Sequence, residues 1–132
     1  MNQGALPLLR TGELGYNAAM NHAVFHGDIT VRIRANERFF GPGIAQLMET
    51  VEQCGSLRQA TLMMDMSYSK AWRIVRNAEE NLGFKLFETN KGGFERGGAI
   101  LTEEGKRFLN SYRSYQKAVE EFAEDAFMDY FG

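Results

Sequence analysis

Two serines, Ser56 and Ser67, each stand just before a stretch of helical apolar spacing and divide residues 42–82 into short predicted helices. Serine is a preferred N-cap residue because its hydroxyl accepts a hydrogen bond from an otherwise unpaired backbone N–H of the first turn. Few residues separate the segments, so the connecting turns must be tight. We therefore expect three helices, from about Pro42 to Gln53, from Leu57 to about Met64 and from Ser67 to Leu82.

Apolar residues within the first and third segments recur at the spacing that places them on one helix face. The first stripe consists of Ile44, Leu47, Met48 and Val51. The third-helix stripe consists of Ala71, Val75, Ala78 and Leu82. Each stripe predicts a helix with one buried face, and 44% apolar residues in a chain of 132 suffice for a single core.

Short strand candidates flank the three helices. Ile29–Arg34 alternates apolar and polar residues, which is typical of a half-buried strand. Lys85–Glu88 and Ala99–Leu101 are joined by a glycine-rich connection over residues 89–98, which we interpret as a hairpin and its tip, although it could be only a loose loop. This order predicts a mainly α fold with a small β-hairpin, the winged helix-turn-helix.

The third helix places its charge away from its apolar stripe. Its first eleven residues hold three basic residues and no acidic one. Arg and Lys can pair with guanine, Asn can pair with adenine, and serine near a helix start can hold a phosphate. We therefore predict double-stranded DNA as the partner, although three cations can also be a merely solvated face. The predicted contacts are Ser67, Tyr68, Ser69, Lys70, Arg73, Arg76 and Asn77 on this helix, with Lys91 and Arg96 on the wing.

Composition predicts a cellular compartment but does not identify a function. The net charge of −2 neither supports nor excludes DNA binding, because the position of the positive charge decides. One cysteine rules out an internal disulfide framework, and neither a secretory signal nor a membrane-spanning apolar run is apparent. We expect a cytoplasmic protein.

Catalytic and metal chemistry find little support in the sequence. His22 and His26 lie four residues apart, but Asp28 is the one obvious further ligand nearby, which is too few for zinc. Cys54 and Trp72 are interpreted as packed residues, with stacking on a base or sugar as the alternative for Trp72. No nucleophile with a base and an orienting group is visible. We expect no metal, no cofactor and no enzymatic activity.

A last helix, from about Glu103 to Met128, is predicted to serve dimerisation. Its apolar residues follow a 3.5-residue repeat, which is typical of a coiled-coil seam. A helix of this length, about 39 Å, exceeds what so small a domain can cover, so we expect a homodimer. The alternative is that the helix folds back on its own domain. The predicted interface residues are Phe108, Tyr112, Tyr115, Val119, Phe122 and Ala126.

Three segments carry a family resemblance. These are Gly55–Ala60, Ser67–Trp72 and the stretch from Gly92-Gly93 to Thr102. Together they resemble the DNA-binding half of the molybdate-responsive regulator (ModE) family of bacteria. Leu82–Glu88 and Leu101–Gly105 are also similar to the winged helix of LysR-type regulators. The resemblance implies promoter binding as a dimer, with the third helix reading the sequence.

The expected organisation has three parts. Residues 1–28 form an extension of unknown role, residues 29–102 the winged helix-turn-helix, and residues 103–132 the dimerisation helix and tail. Because the sequence holds no counterpart of the molybdate-binding half, we expect no binding of molybdate or another oxyanion. The expected function is a homodimeric transcriptional regulator, and the alternative is a winged helix that binds another protein instead of DNA.

Overall fold

The computed structural model describes residues 24–89 and 98–132. The chain divides into two compact units. The first is Thr30–Ser114, and the second combines residues 24–29 with Tyr115–Gly132. The first unit therefore extends twelve residues beyond the predicted end of the winged helix at Thr102, because the start of the last helix packs into it.

The first unit has the element order of a winged helix-turn-helix, so the predicted fold class is confirmed. Its elements are β1 (Ile33–Arg34), β2 (Arg38–Phe40), α1 (Pro42–Cys54), α2 (Leu57–Met63), α3 (Tyr68–Leu82), β3 (Phe87–Thr89), β4 (Ala99–Leu101) and the start of α4 (Glu103–Phe131). β1 pairs with β2, and β3 pairs with β4, both antiparallel. In the second hairpin Phe87 lies opposite Leu101 and Thr89 opposite Ala99.

The observed strands differ from the predicted ones in number and in bounds. β2 was not predicted, and the predicted strand Ile29–Arg34 is reduced to the two residues of β1. β3 begins at Phe87 rather than at Lys85, because the Leu86 amide donates to the Glu79 carboxylate at 2.8 Å instead of to a strand. This side-chain bond fixes where the wing begins.

Both predicted serine caps are present. The Ser56 hydroxyl accepts from the Gln59 amide at 3.0 Å, and the Ser67 hydroxyl accepts from the Lys70 amide at 3.1 Å. α3 ends at Gly83, whose φ of 84° lies in the left-handed region that glycine adopts without a Cβ clash. The local sequence signals therefore fix the helix-turn-helix boundaries to within a residue.

The core of the first unit lies between α1, α3 and the two hairpins. All four residues of the α1 stripe are buried, and Ala71, Val75 and Ala78 of α3 are fully inaccessible. Leu82 is only half-buried. The inward face of α3 thus packs into the core along most of its length, so the opposite face of the helix is held towards solvent.

The beginning of α4 completes this core, which corrects one predicted dimer contact, Tyr112. Tyr112 is 1% exposed and its hydroxyl donates to the Val31 carbonyl oxygen at 2.8 Å. Phe108 packs edge-to-face on Phe40 and Phe84, with ring centroids 4.7 and 6.3 Å apart. Assigning Tyr112 to the dimer seam was therefore wrong, because the 3.5-residue repeat does not show where the core of one chain ends and the seam begins. Phe108 is half-buried, and its place in the seam stays a prediction.

Tyr112→Phe is expected to lower the free energy of unfolding by about 1–3 kcal/mol, because it leaves the buried Val31 carbonyl without its donor. Urea denaturation followed by circular dichroism measures this at a fixed protein concentration. Ser111→Ala is the control, since it also removes a hydroxyl from α4 but at an exposed position next to Tyr112. Equal losses in both variants would contradict the assignment.

A bidentate ion pair also joins α4 to α1. The Arg113 guanidinium donates to both carboxylate oxygens of Glu49, at 2.9 and 2.7 Å. These hydrogen bonds hold the pKa of Glu49 below its ordinary value of 4.5, and they outweigh the opposing effect of burial. Because both side chains are about one-third exposed, solvent screens much of the attraction.

The Glu49 pair predicts a pH-dependent contribution to stability. A carboxyl whose pKa is depressed on folding stabilises the native state above its unfolded pKa, and the contribution is lost as pH falls through the folded pKa. Glu49→Gln should therefore destabilise the protein by less than about 1 kcal/mol at neutral pH. The difference from the wild type should shrink well below pH 4.5, as measured by urea denaturation across a pH series. A difference independent of pH would contradict the pairing.

The second unit places a short segment beside the end of α4. His26 Nδ1 lies 4.0 Å from a Glu124 carboxylate oxygen, and Gly27 packs beside the Phe127 ring. His22 of the predicted histidine pair lies outside the described residues. Among residues 24–89 and 98–132, no three potential metal-ligating side chains cluster, and no helix is long and apolar enough to cross a membrane.

Candidate nucleic-acid interface

One side of α3 carries five exposed polar residues, and we call it the recognition surface: Ser69, Lys70, Arg73, Arg76 and Asn77. The periodicity of an α-helix places these five positions on the side opposite the buried apolar stripe. The structure therefore brings together all five of these predicted contacts on one face. A solvent-facing helix anchored by three fully buried residues is a firm support for such side chains.

The positive charge of this surface is not neutralised within the described residues. Among residues 24–89 and 98–132, none of Lys70, Arg73 and Arg76 lies within ion-pair distance of a carboxylate. An open groove of about 660 Å³ runs along this face between Tyr68 and Glu80. Arg73 and Arg76 line this groove together with the exposed Glu80, and Lys70 lies outside it. Two arginines without an ion-pair partner along an open groove favour an anionic ligand that is extended rather than compact.

The two remaining predicted contacts on α3 have structural roles at its N-terminus. Ser67 uses its oxygen as the helix cap, which leaves its hydroxyl hydrogen available to a phosphate. Tyr68 is half-buried, and its hydroxyl is buried without a hydrogen-bond partner in the described part of the chain. Tyr68 is therefore a packing residue at the edge of the groove more than an exposed contact.

Tyr68 belongs to a ladder of two adjacent rings with a cation at each end, which consists of Arg58, Tyr68, Trp72 and Arg76. The Arg58 guanidinium lies 4.0 Å from the Tyr68 ring centroid, and that of Arg76 lies 5.2 Å from the Trp72 ring centroid. The two rings meet edge to face, with centroids 6.4 Å apart. Cation–π contacts of this kind are attractive and reduce the freedom of long side chains. The ladder therefore positions Arg58 and Arg76 at the two ends of one aromatic platform.

Arg58 is a residue that the sequence analysis missed. It lies on α2, whereas the predicted contacts were confined to α3 and the wing. The available signal was an arginine in the first turn of the helix that precedes Tyr68, and this signal has no fixed spacing to identify it. Trp72 was interpreted as a packed residue, and it is half-buried while also stacking against Arg76.

The base of the wing is anchored to the helix-turn-helix. The Ala99 amide donates to the Gly55 carbonyl oxygen at 2.9 Å, which ties β4 to the turn between α1 and α2. The Thr102 hydroxyl donates to the Lys85 carbonyl oxygen at 2.6 Å and accepts from the Gly105 amide at 2.9 Å. The predicted wing contacts Lys91 and Arg96 lie outside the described residues.

These features define a winged helix-turn-helix domain with an exposed, unneutralised cationic face on its third helix. Residues 45–106 match the family described as "Bacterial regulatory helix-turn-helix protein, lysR family". The described structure is similar in fold to the protein in "Crystal structure of CbnR_DBD-DNA complex", with a TM-score of 0.51 at 20% identity. That match covers 64% of this chain and 91% of the other.

Two curated relatives show which winged helix-turn-helix proteins this domain resembles. The chain is 32% identical over 82 residues to the "Transcriptional regulator ModE" of Haemophilus influenzae, which covers 62% of this chain and 32% of the relative. It is also 32% identical over 89 residues to the "Molybdenum transport protein ModE" of Herbaspirillum seropedicae, covering 67% and 31%. The chain thus contains a ModE- and LysR-like winged helix-turn-helix, as its resemblance implied. It spans about one third of the length of these relatives.

Proposed function

We propose that this protein is a transcriptional regulator that binds duplex DNA by inserting α3 into a major groove. The observation that carries the proposal is the exposure of Lys70, Arg73 and Arg76 on a helix whose opposite face is buried along most of its length. A helix fits the major groove, and its arginine and lysine side chains can pair with guanine there. The names of the curated relatives support regulation rather than catalysis.

The ladder supports the same docking. Arg58 precedes α3 in the helix-turn-helix, where the first of the two helices crosses the DNA backbone. A guanidinium held against the Tyr68 ring loses less conformational freedom when it binds a phosphate than a free one would. We therefore assign Arg58 to the backbone and the residues of the recognition surface to the bases.

We further propose that the protein acts as a homodimer through the part of α4 in the second unit. Tyr115, Val119, Phe122 and Ala126 keep the 4, 3, 4 spacing of a helix seam after Tyr112 is assigned to the core. Phe122 is 75% exposed, and Tyr115 is 53% exposed. An exposed aromatic stripe of this kind is typical of an interaction site, and a second copy of the helix offers a matching stripe.

Binding of the full chain to random duplex DNA across a salt series tests the DNA proposal. If the cations neutralise phosphates, the logarithm of the affinity should fall linearly with that of the salt concentration, with a slope of about −0.9 for each phosphate neutralised. An affinity independent of salt, or no binding at low salt, would contradict the proposal. That outcome would favour the alternative, in which the winged helix binds another protein.

A further inference from the structure

A second group of exposed cations lies beside the recognition surface, on the β1–β2 hairpin that sequence analysis did not predict. Residues 30–40 contain Arg32, Arg34 and Arg38, and Glu37 in the turn is their one carboxylate. All three arginines are exposed. Among residues 24–89 and 98–132, none of them lies within ion-pair distance of a carboxylate. We call these three arginines and their strands the basic hairpin.

The basic hairpin is firmly attached to the first unit. Phe40 of β2 is 3% exposed and packs edge-to-face on Phe108 and Tyr112. Val31 is buried, and its carbonyl oxygen accepts the Tyr112 hydroxyl. Arg32 follows this buried anchor directly and is itself exposed. The cations thus stand on a supported element rather than on a loose arm.

The basic hairpin and the recognition surface are continuous. Arg32 and Arg38 line an open cavity of about 470 Å³ together with Ile74 and Asn77 of α3. Asn77 also lines the groove along the recognition surface. The two concave regions therefore meet at Asn77, and a ligand lying along α3 would extend towards the arginines of the hairpin.

The chemistry at this edge suits a phosphate backbone. Arg32 packs along Gly41, where a Cβ would lie 3.2 Å from the Arg32 Cγ, so the arginine stem lies close to the backbone at the start of α1. The cavity also contains Gly43, which is exposed. Phe40 and Ile44 of the lining face the core, and the other apolar lining residues are half-buried. The exposed side chains of the lining are those of Arg32, Arg38 and Asn77, which suit an anionic partner more than an apolar one.

We infer that Arg32 and Arg38 of the basic hairpin contact the DNA backbone beside the groove that α3 enters, which extends the DNA site to the N-terminal side of α1. The inference rests on the proposed function, since it names further contacts of the same ligand. Phosphate contacts of this kind position the protein and raise its affinity without reading the sequence.

The test compares the salt dependence of duplex binding by the wild type and by R32Q/R38Q. Each phosphate contact contributes about 0.9 to the slope, so the double variant should reduce its magnitude by about 1.8. Its affinity should fall by the same factor on a specific and a random duplex. R32K/R38K keeps both charges and should keep most of the wild-type slope. Arg107→Gln is the control, because Arg107 is also exposed, on α4, and lies outside both cavities.

The outcomes separate this inference from the proposal beneath it. If the wild type shows no salt-dependent binding, the proposed function itself fails. If the wild type binds but R32Q/R38Q has an unchanged slope, the contact assigned to the hairpin is overturned while the role of α3 stands. Circular dichroism and the thermal midpoint confirm that the variant is folded, and a lysine pair that fails to keep the slope would also count against a charge-based contact.

Discussion

Phe122→Glu is expected to convert the protein from a dimer to a monomer. Phe122 is the most exposed of the large apolar residues described, at 75%, and it lies in the middle of the stripe from Tyr115 to Ala126. In a helix seam each copy would place a carboxylate against its symmetry mate, in surroundings that are costly for an unpaired charge. Light scattering coupled to gel filtration measures the mass directly.

Loss of the dimer should also affect DNA binding. Two linked modules bind a two-half-site duplex about 10²–10⁴ times more tightly than one, because the second contact becomes intramolecular. Phe122→Glu should lose this factor on such a duplex and change little on a single half-site. Lys117→Ala on the same helix is the control, since Lys117 lies off the stripe and makes only a surface pair with Glu121 at 4.0 Å. A wild type that is monomeric at micromolar concentration would refute the dimer.

Arg73→Ala is expected to have the second-largest effect. Arg73 lies in the centre of the recognition surface, and loss of a bidentate contact to guanine should cost about 1–3 kcal/mol on the specific site. This corresponds to roughly a 5- to 150-fold weaker Kd. The preference at one base position should relax. Selection of bound duplexes from a random library identifies the site, and competition assays on it measure both effects.

Comparison with Lys91→Ala makes the Arg73 result decisive. Lys91 is predicted from the sequence to contact the backbone through the wing, so its loss should weaken all duplexes about equally. Arg107→Ala, on α4, should change neither quantity. If Arg73→Ala and Lys91→Ala lowered specific and random binding by the same factor, the division between base-reading and backbone contacts would be wrong.

The helix-turn-helix could be predicted from the sequence because its signals are local. Ser56 and Ser67 cap the helices that follow them, and the stripes of α1 and α3 face the core. The exposure of Lys70, Arg73 and Arg76 follows from the same periodicity. Where a residue type and its neighbours within four positions decide the structure, the pattern is sufficient.

The incorrect or missing predictions concern residues whose environment depends on contacts with residues far away in the sequence. Tyr112 continues the apolar repeat of α4, yet it is buried by Val31 and Phe40, which lie more than seventy positions away in sequence. β2 is only three residues long, and it forms because Phe40 packs into this same core. Arg58 joins the candidate site through a ring on the next helix. Tertiary contacts of this kind cannot be predicted from the spacing of residue types along the chain.

The ladder also contains an intrinsic fluorescent probe of ligand binding. Trp72 is the single tryptophan of the sequence, and it lines the groove along α3 while stacking against Arg76. Indole emission responds to nearby charge and to water, both of which a polyanion settling on Arg76 would alter. A titration followed by intrinsic fluorescence therefore monitors this groove without a dye, a tag or an engineered label.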